Sequence, residues 1–310
     1  MDIRVNKKIK LCKRKKRVID INIGIDIGGN HIGIGIVSLD GEILKKEIVD
    51  YDNDEVTPEI IFGAINNFLE KNNTNKIKSI GIGIPGIATG THIDYTCNLP
   101  LTDVEIREYV KTKLPIYVSN DANCAAIAEF QVTDKKFYNH YGVVTIGTGI
   151  GAGVILNGNL LEGASGSAAE LGHMIIEKGG LKCRCGRQGC FEQYASVTAL
   201  KRKANLDSLK EVFYLCDRNE AVQKTFDEYL NDLSEGLANF INLYDLEVLV
   251  IGGSLSEYSH KYMPKLKSMI LEKIYNKYTY ELNLKPAILG NDAGIIGASF
   301  LKEYIGSKDE

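Results

Sequence analysis

The sequence has no long apolar run, since no hydrophobic stretch approaches the roughly 18 residues that a membrane-spanning helix needs. The N-terminus also lacks the apolar core of a signal peptide. These two absences argue against a membrane protein and against an exported one. With 310 residues, 44% of them hydrophobic, the chain can bury a substantial core divided between two lobes. We therefore expect a cytoplasmic protein with no membrane partner.

Two common nucleotide-binding loops are absent as well. No Gly-x-x-x-x-Gly-Lys-Ser/Thr loop occurs in the chain. Residues 81–86 match the Gly-x-Gly-x-x-Gly pattern of dinucleotide-binding proteins, but that pattern must open a helix. Residues 87–91, Ile-Ala-Thr-Gly-Thr, do not open one. The sequence therefore argues against a P-loop enzyme and against a dinucleotide-binding domain.

The spacing of the cysteines argues against a disulfide framework. Four of the seven cysteines are scattered, which is typical of a reducing compartment. These four are Cys12, Cys97, Cys124 and Cys216.

The other three cysteines are concentrated in one segment. Cys183, Cys185 and Cys190 follow His173, with a Gly-containing turn before the last thiol. Three thiolates and an imidazole at this spacing have the chemistry of a closed four-ligand zinc site. The alternative is a set of ordinary reduced cysteines on a Gly-rich loop. Because all four ligands would come from the protein, no position remains for an activated water, and we expect the zinc to be structural.

Charge is unevenly distributed along the chain. Residues 1–17 contain nine Lys or Arg residues against Asp2 alone, although the net charge of the whole chain is −3. Such an arm could bind nucleic acid or another acidic surface. Because it has no apolar periodicity and no aromatic residue, we expect a disordered, solvated extension with no nucleic-acid partner.

A pattern of strand, Gly-rich turn, strand and turn occurs twice. The first copy predicts strands at 18–27, 32–37 and 42–49, then a helix at 58–70 and a strand at 77–84. The second predicts strands at 143–146 and 152–156, helices at about 194–204 and 219–243, a strand at 248–251 and a last helix from Ala293. Chance similarity of two Gly-rich hairpins is the alternative to a true repeat.

The repeat indicates two related lobes that face each other across a cleft. We expect a small lobe of residues 18–118 together with the C-terminal helix 293–305. The large lobe would comprise residues 119–292 and carry the zinc-binding loop and a helical insertion.

Each copy contains a Gly-rich turn directly after a strand. We call residues 26–30, Asp-Ile-Gly-Gly-Asn, the first phosphate loop, and residues 147–153, Gly-Thr-Gly-Ile-Gly-Ala-Gly, the second phosphate loop. Glycines let backbone N–H groups approach phosphate oxygens, although hairpins also use glycine for purely conformational reasons. Paired in opposite lobes, the two loops indicate a polyphosphate site.

Asp121 lies where a predicted strand, 116–118, is followed by a predicted helix, 122–130. An Asp or Asn at such a position commonly serves only as an N-cap. It can also act as a general base that accepts the proton of a substrate hydroxyl during phosphoryl transfer. The neighbouring phosphate loops favour the catalytic interpretation.

These motifs together resemble the ROK family of bacterial sugar kinases and sugar-responsive repressors. The resemblance extends from about Val18 to Tyr304. It rests on an ordered set of motifs: Asp26-Ile-Gly-Gly, Asn120-Asp121-Ala-Asn, Gly147-Thr-Gly-Ile-Gly-Ala-Gly, Glu170-Leu-Gly-His173-Met and Cys183-x-Cys-Gly-x-x-Gly-Cys190-x-Glu192. The resemblance implies a two-lobed α/β fold of the actin-like, hexokinase type (ribonuclease H-like), with ATP and sugar in the cleft, and a homodimer or higher homo-oligomer.

The resemblance also implies roles for individual residues. Asp121 resembles the catalytic base, and His173 resembles a residue that is both zinc ligand and sugar contact. The implied sugar site consists of Gly86, Asn98, Asn120, Asp121, Glu170, His173 and Glu192. The implied Mg-ATP site consists of Asp26, Gly28, Gly29, Asn30, Gly147, Thr148, Gly149, Gly151, Gly252 and Gly253. The implied zinc ligands are His173, Cys183, Cys185 and Cys190.

The sequence departs from the family pattern in two places. Asn30-His31 stands where the first phosphate loop usually continues with Thr-Lys, although an Asn side chain can still donate to phosphate. His31 is interpreted as a polar strand residue. Ala169 stands where glycine is usual before the glutamate, which would narrow the sugar pocket slightly.

The function expected from the resemblance is ATP-dependent phosphorylation of a hexose, most like the glucokinases of the family. An N-acetylmannosamine or N-acetylglucosamine kinase is an alternative. A non-catalytic sugar-binding regulator is an alternative of a different class. The family's repressors carry a DNA-binding domain ahead of the first phosphate loop, and only about 25 residues precede Asp26 here, which argues against a repressor.

Overall fold

The computed structural model describes residues 20–52, 55–97, 99–276 and 280–306. The basic arm at residues 1–17 lies outside the described residues, and so does Asn98. The strand expected from Val18 is described from Ile21 onward.

Isoleucine and valine dominate the long strands, as expected for β-branched side chains on a pleated, buried surface. The strands are β1 (Ile21–Ile27), β2 (His31–Ser38), β3 (Ile43–Asp50), β4 (Ile77–Ile84), β5 (Gly86–Thr89), β6 (His92–Thr96), β7 (Val104–Glu105), β8 (Ile116–Asn120), β9 (Tyr141–Ile146), β10 (Ile150–Leu156), β11 (Asn159–Leu160), β12 (Val248–Gly252) and β13 (Asn283–Pro286).

Most of the longer helices begin at a side-chain N-cap, such as Thr57, Asn120, Ser196 and Asn219. The helices are α1 (Pro58–Lys71), α2 (Ile106–Tyr109), α3 (Asp121–Glu129), α4 (Glu192–Ala195), α5 (Val197–Ala204), α6 (Leu209–Cys216), α7 (Glu220–Tyr244), α8 (Ser259–Lys273), α9 (Ala293–Ser299) and α10 (Leu301–Ile305). No helix in the described part of the chain has the length and apolar character needed to cross a membrane.

Two mixed sheets repeat the same arrangement. The first has the order β3-β2-β1-β4-β8 and the second the order β11-β10-β9-β12-β13. Each starts from an antiparallel hairpin, β1–β2 or β9–β10, and continues with parallel strands. The repeat expected from the sequence is therefore present. A third, small sheet with the order β5-β6-β7 follows the end of β4.

Parallel pairing brings the functional segments to the same edge of each sheet. In the first sheet β1, β4 and β8 are parallel, so their carboxyl ends carry the first phosphate loop, Gly86 and Asp121 at one edge. In the second sheet β9, β12 and β13 are parallel, so the second phosphate loop and Gly252 share an edge. Ligands of open α/β sheets bind outside such carboxyl ends.

The helices α3 and α9 pack between the two sheets, and glycines make this close packing possible. A Cβ atom on Gly24 of β1 would lie 1.8 Å from the carbonyl oxygen of Ile295, and one on Gly297 would lie 1.7 Å from that of Cys124. On the other side, a Cβ atom on Gly153 of β10 would lie 2.7 Å from the carbonyl oxygen of Ala122. The C-terminal helix thus returns to the first sheet, and the assignment of 18–118 with 293–305 to one lobe and 119–292 to the other stays a prediction.

The structure differs from the sequence predictions in several elements. The helix expected at 194–204 is broken at Ser196, whose hydroxyl caps α5 by accepting the N–H of Ala199 at 3.1 Å. The last helix is likewise interrupted at Phe300. Eight elements were not expected from the sequence: β5, β6, β7, β11, β13, α2, α6 and α8. Most apolar positions of α7, such as Phe226, Leu233 and Phe240, are buried in the core of this chain, whereas Leu243 is exposed.

Candidate active site

Asp121 is the first residue of α3, directly after the last strand of the first sheet. Asn120 is the N-cap, because its Oδ1 atom accepts the N–H of Ala122 at 2.8 Å. Asp121 Oδ1 accepts the same N–H, also at 2.8 Å. Since Asn120 fills the capping position, Asp121 is available for another role.

The surroundings of Asp121 disfavour its charged form. Its side chain is exposed to the cleft, but protein encloses it on the remaining sides. Burial away from water is the main reason that the pKa of Asp121 is raised to about 7. The negative charges of Asp26 and Glu170 also raise it, whereas the hydrogen bond from the N–H of Ala122 lowers it. A carboxyl group with a pKa near neutrality is suited to general-base chemistry.

Two further carboxylates, those of Glu170 and Glu192, lie near Asp121. Loss of water and the charge of Glu192 raise the pKa of Glu170, while His173 lowers it. Glu192 opens α4, and its Oε1 atom lies 3.9 Å from Nδ1 of His173. Asp121, Glu170, His173 and Glu192, four residues of the predicted sugar site, therefore lie close enough to affect one another electrostatically.

Cys97 belongs to the same cluster, and the sequence analysis missed it. Loss of water and then the charges of Glu170, Asp121 and Glu192 raise the pKa of its thiol. Its N–H donates to the carbonyl of Pro85 at 3.1 Å, at the end of β4. No local motif marks Cys97, because its position depends on the pairing of β5 with β6.

Gly86 and Asn120 are brought together at the edge of the first sheet. The Nδ2 atom of Asn120 donates to the carbonyl of Gly86 at 3.2 Å. A Cβ atom on Gly86 would lie 2.1 Å from the carbonyl oxygen of Tyr95, so the β5–β6 hairpin can pair this closely only with glycine there. Because Asn120 also caps α3, a sugar contact by its amide would use the second N–H. Asn98, the remaining predicted sugar contact, is outside the described residues.

The second phosphate loop lies close to two other parts of the predicted site. Its Gly147 N–H donates to the carbonyl of Gly149 at 3.0 Å, which forms a tight turn around Thr148. A Cβ atom on Gly149 would lie 2.9 Å from Oε2 of Glu192, and one on Gly151 would lie 2.9 Å from Cβ of Ala122. The glycines therefore bring this loop against both the start of α3 and Glu192.

The first phosphate loop lies against α9. Asp26, at the end of β1, is half-buried, and a Cβ atom on Gly294 would lie 2.4 Å from its carboxylate. Burial raises the pKa of Asp26, while His31 lowers it. Gly28 and Gly29 follow in a turn that ends at the exposed Asn30.

Gly252 and Gly253 lie beside the end of β9, which leads into the second phosphate loop. Gly252 pairs with Thr145 near the end of β9. Gly253 has a φ of +74°, and a Cβ atom on it would lie 2.4 Å from the carbonyl oxygen of Ile146. This turn therefore requires glycine, and it borders the predicted nucleotide site on the second sheet.

The predicted zinc ligands come together as the sequence indicated. One ligand atom from each of His173, Cys183, Cys185 and Cys190 lies within 4.8 Å of all the others. The Sγ atoms of Cys185 and Cys190 are 3.6 Å apart, and Sγ of Cys183 is 3.7 Å from Nδ1 of His173. Tetrahedral zinc with bonds of about 2.3 Å separates its sulfur ligands by roughly 3.8 Å. The donor set and its spacing therefore fit zinc.

Ala169 has a backbone conformation that explains why glycine is usual at its position. Its φ is +60°, in the left-handed region that disfavours residues with a Cβ atom. Its carbonyl accepts the N–H of Leu171 at 2.6 Å, which forms the turn that presents Glu170.

Comparison with known proteins agrees with this geometry. The ROK family model matches residues 22–304. A glucokinase from Thermotoga maritima is 31% identical over 317 residues, covering 92% of this chain and 98% of that protein. A xylose repressor from Bacillus spizizenii is 30% identical over 290 residues, covering 90% of this chain and 76% of the repressor.

A solved structure extends the similarity to three dimensions. The ROK family glucokinase from Streptomyces griseus, in complex with glucose and AMPPNP, superposes with a TM-score of 0.75 at 27% identity. The superposition covers 91% of this chain and 98% of the glucokinase. The expected two-lobed, actin-like, hexokinase-type fold is therefore confirmed. Since the family model spans most of the sequence, this chain belongs to the ROK family.

Proposed function

We propose that this protein is an ATP-dependent hexose kinase, with glucose as its main substrate and Asp121 as the general base. The observation that carries the proposal is the position of Asp121, whose pKa is raised to about 7 beside Asp26 of the first phosphate loop and Glu170, while the second phosphate loop lies against both the start of α3 and Glu192. The glucokinases of Thermotoga maritima and Streptomyces griseus, similar over more than 90% of this chain, support it.

In the proposed reaction Asp121 accepts the proton of a sugar hydroxyl, the one at C6 of glucose, as the hydroxyl oxygen attacks the γ-phosphorus of ATP. The bond from that phosphorus to the β,γ-bridging oxygen breaks, and ADP leaves. Glu170 and Glu192 accept hydrogen bonds from other sugar hydroxyls and so orient the ring. Backbone N–H groups of the two phosphate loops face the charge of the transferring group. Magnesium bound with ATP would neutralise phosphate charge at the site where Asp26 lies.

We infer that the cluster of His173, Cys183, Cys185 and Cys190 holds zinc in a structural role. With four protein ligands the site is closed, so it does not activate water. Sγ of Cys183 lies 3.1 Å from Oε1 of Glu192, so the cluster is in contact with a predicted sugar contact. The zinc would fix the loop that carries Glu170 and His173 against the loop that leads into Glu192.

Two other functions remain as alternatives. An N-acetylmannosamine or N-acetylglucosamine kinase would use the same residues on a sugar with an acylamino group. A non-catalytic sugar-binding regulator is favoured by the 30% identity to a xylose repressor and by the Asn30-His31 pair in the first phosphate loop. The homodimer implied by the resemblance and the cytoplasmic location expected from the sequence stay predictions.

A panel of sugars with ATP tests the proposal. Purified protein is incubated with Mg-ATP and glucose, N-acetylglucosamine, N-acetylmannosamine or xylose, and the phosphorylated product is measured directly. The proposal predicts glucose 6-phosphate as the fastest product. If an N-acetylhexosamine is phosphorylated faster than glucose, the protein is an N-acetylhexosamine kinase, the first alternative. Binding of a sugar without turnover of any would favour the regulator.

A further inference from the structure

Tyr51 contacts the first phosphate loop twice. It lies one residue after β3, the strand that pairs with β2. Its hydroxyl donates to the carbonyl of Gly28, and its backbone N–H donates to the carbonyl of Asn30 at 3.0 Å. The loop's own turn adds a bond from the N–H of Gly28 to the carbonyl of His31 at 2.9 Å. One tyrosine outside the loop therefore holds two of its carbonyl groups.

The Tyr51 hydroxyl remains a donor throughout the neutral pH range. The residue is half-buried, and loss of water together with the charge of Asp26 raises the pKa of Tyr51 to about 12. A carbonyl oxygen only accepts, so the protonated hydroxyl and the carbonyl of Gly28 form a matched pair.

Holding a carbonyl also directs the N–H group of the same peptide plane. In a trans peptide the N–H of Gly29 points opposite to the carbonyl of Gly28. Because that carbonyl faces Tyr51, the N–H of Gly29 faces away from Tyr51. Backbone N–H groups of this kind are the usual donors to phosphate oxygens in Gly-rich turns.

His31 holds the side chain of Asn30 in a similar way. Its Nδ1 atom lies 2.9 Å from Oδ1 of Asn30. An amide oxygen only accepts, so Nδ1 is the donor and the two N–H donors of Asn30 are turned away from His31. Asn30 is exposed, so these donors are accessible to a ligand.

We propose that Tyr51 and His31 are positioning residues that preorganise the first phosphate loop for the phosphates of ATP. Tyr51 fixes the backbone of the loop, and His31 fixes the Asn30 amide that stands where the family usually has threonine. A loop with two successive glycines has much conformational freedom to lose on binding. Contacts that remove this freedom beforehand strengthen binding without touching the ligand. This inference rests on the proposed kinase function.

Tyr51→Phe tests the backbone contact. The variant keeps the ring and the backbone N–H but loses the hydroxyl. We expect the Kd of ADP and of AMPPNP, measured by titration calorimetry, to rise about 3- to 10-fold, the effect of one hydrogen bond. The KM for ATP should rise by a similar factor, while the KM for glucose and kcat change less than twofold.

Tyr304→Phe is a matched control. The Tyr304 hydroxyl also makes one hydrogen bond in a largely buried setting, to Oε1 of Gln131 at 3.0 Å, away from both phosphate loops. This variant should leave the Kd of both nucleotides unchanged. Equal losses of nucleotide affinity in the two variants would overturn the proposal, because they would indicate a general structural effect.

A double-variant cycle tests His31. If His31 acts through Asn30, then Asn30→Ala and His31→Ala each weaken nucleotide binding, and the double variant binds no more weakly than Asn30→Ala alone. Fully additive losses would contradict this role for His31. A Tyr51→Phe protein that is folded and binds ADP as wild type does would overturn the role of Tyr51. Wild-type protein that binds nucleotide but phosphorylates no sugar would contradict the proposed function and leave the loop measurements valid.

Discussion

The Oε1 atom of Glu192 lies 3.1 Å from the Sγ atom of Cys183. A predicted sugar contact and a predicted zinc ligand are therefore in direct contact. His173, which is both, lies 3.9 Å from the same carboxylate oxygen. Glu192 therefore contacts both the predicted metal cluster and the predicted sugar site, so a change in one should be measurable in the other.

Cys185→Ser should abolish zinc binding and weaken the use of sugar. Cys185 is the exposed cysteine of the cluster, and its thiol lies 3.6 Å from the thiol of Cys190, so we expect the effect on sugar to pass through the metal loop. We expect the KM for glucose to rise about 10- to 100-fold, as for residues that orient a site from outside it, with a smaller change in the KM for ATP. Metal analysis and steady-state kinetics measure both quantities.

Cys216→Ser is the matched control, because Cys216 is buried in α6 outside the cluster. It should retain zinc and the wild-type KM for glucose. Full activity in a zinc-free Cys185→Ser protein would show that the cluster does not support the sugar pocket.

The pH dependence of the reaction should follow Asp121. Its pKa is raised to about 7, and only the ionised form can accept a proton, so activity is present above that pH and is lost as the pH falls through it. We expect kcat/KM for glucose to fall about tenfold per unit below pH 7. Circular dichroism at each pH checks that the protein stays folded. A profile that is flat from pH 5 to 8 would rule out this carboxyl as the base.

The strands and Gly-rich turns of the site could be predicted because their signals are local. Strands rich in isoleucine and valine that end in glycine, such as those before Gly28 and Gly147, predict both a strand and a close approach of the backbone. Cys97 could not be predicted in this way. It reaches Glu170 and Asp121 only because the short strands β5 and β6 pair beyond Gly86, and these strands have little apolar periodicity.

Some helix boundaries could not be predicted, because the local sequence pattern does not show where a helix ends or which positions it buries. The apolar pattern continues across Ser196, but its hydroxyl forms an N-cap and ends one helix by starting another. The helix α8 contains Pro264 and several lysines, which conceal its buried positions, Tyr262, Leu266 and Ile270. Tyr51 was missed because its contacts to the first phosphate loop depend on the register of β2 with β3.

Ala169→Gly should stabilise the protein. Ala169 has a φ of +60°, which costs a residue with a Cβ atom roughly 1–2 kcal/mol, and part of the gain is offset by the greater freedom of glycine when unfolded. We expect the free energy of unfolding in urea to rise by about 1 kcal/mol. Ala168→Gly, at a neighbouring residue outside the left-handed region, should lower it. A loss of stability in Ala169→Gly would contradict the assigned backbone strain.

Asp121→Asn should raise the Tm at pH 8. The pKa of Asp121 is raised in the folded state, so its ionised form destabilises the fold above about pH 7. This cost diminishes as the pH falls and is absent below the unfolded pKa of about 4. The gain in Tm should therefore be larger at pH 8 than at pH 5, and calorimetric scans of both proteins would show it. An unchanged difference between the two pH values would contradict the raised pKa.

The same variant provides the most direct test of Asp121 as the general base of a glucose kinase. Product formation from Mg-ATP and glucose is measured with wild type, Asp121→Asn and the surface control Asp217→Asn, alongside the Kd of glucose for each protein. We predict that Asp121→Asn lowers kcat at least about 100-fold, the lower end of general-base assistance, while glucose still binds and Asp217→Asn behaves as wild type. Near-wild-type turnover by folded Asp121→Asn would show that the proton goes elsewhere.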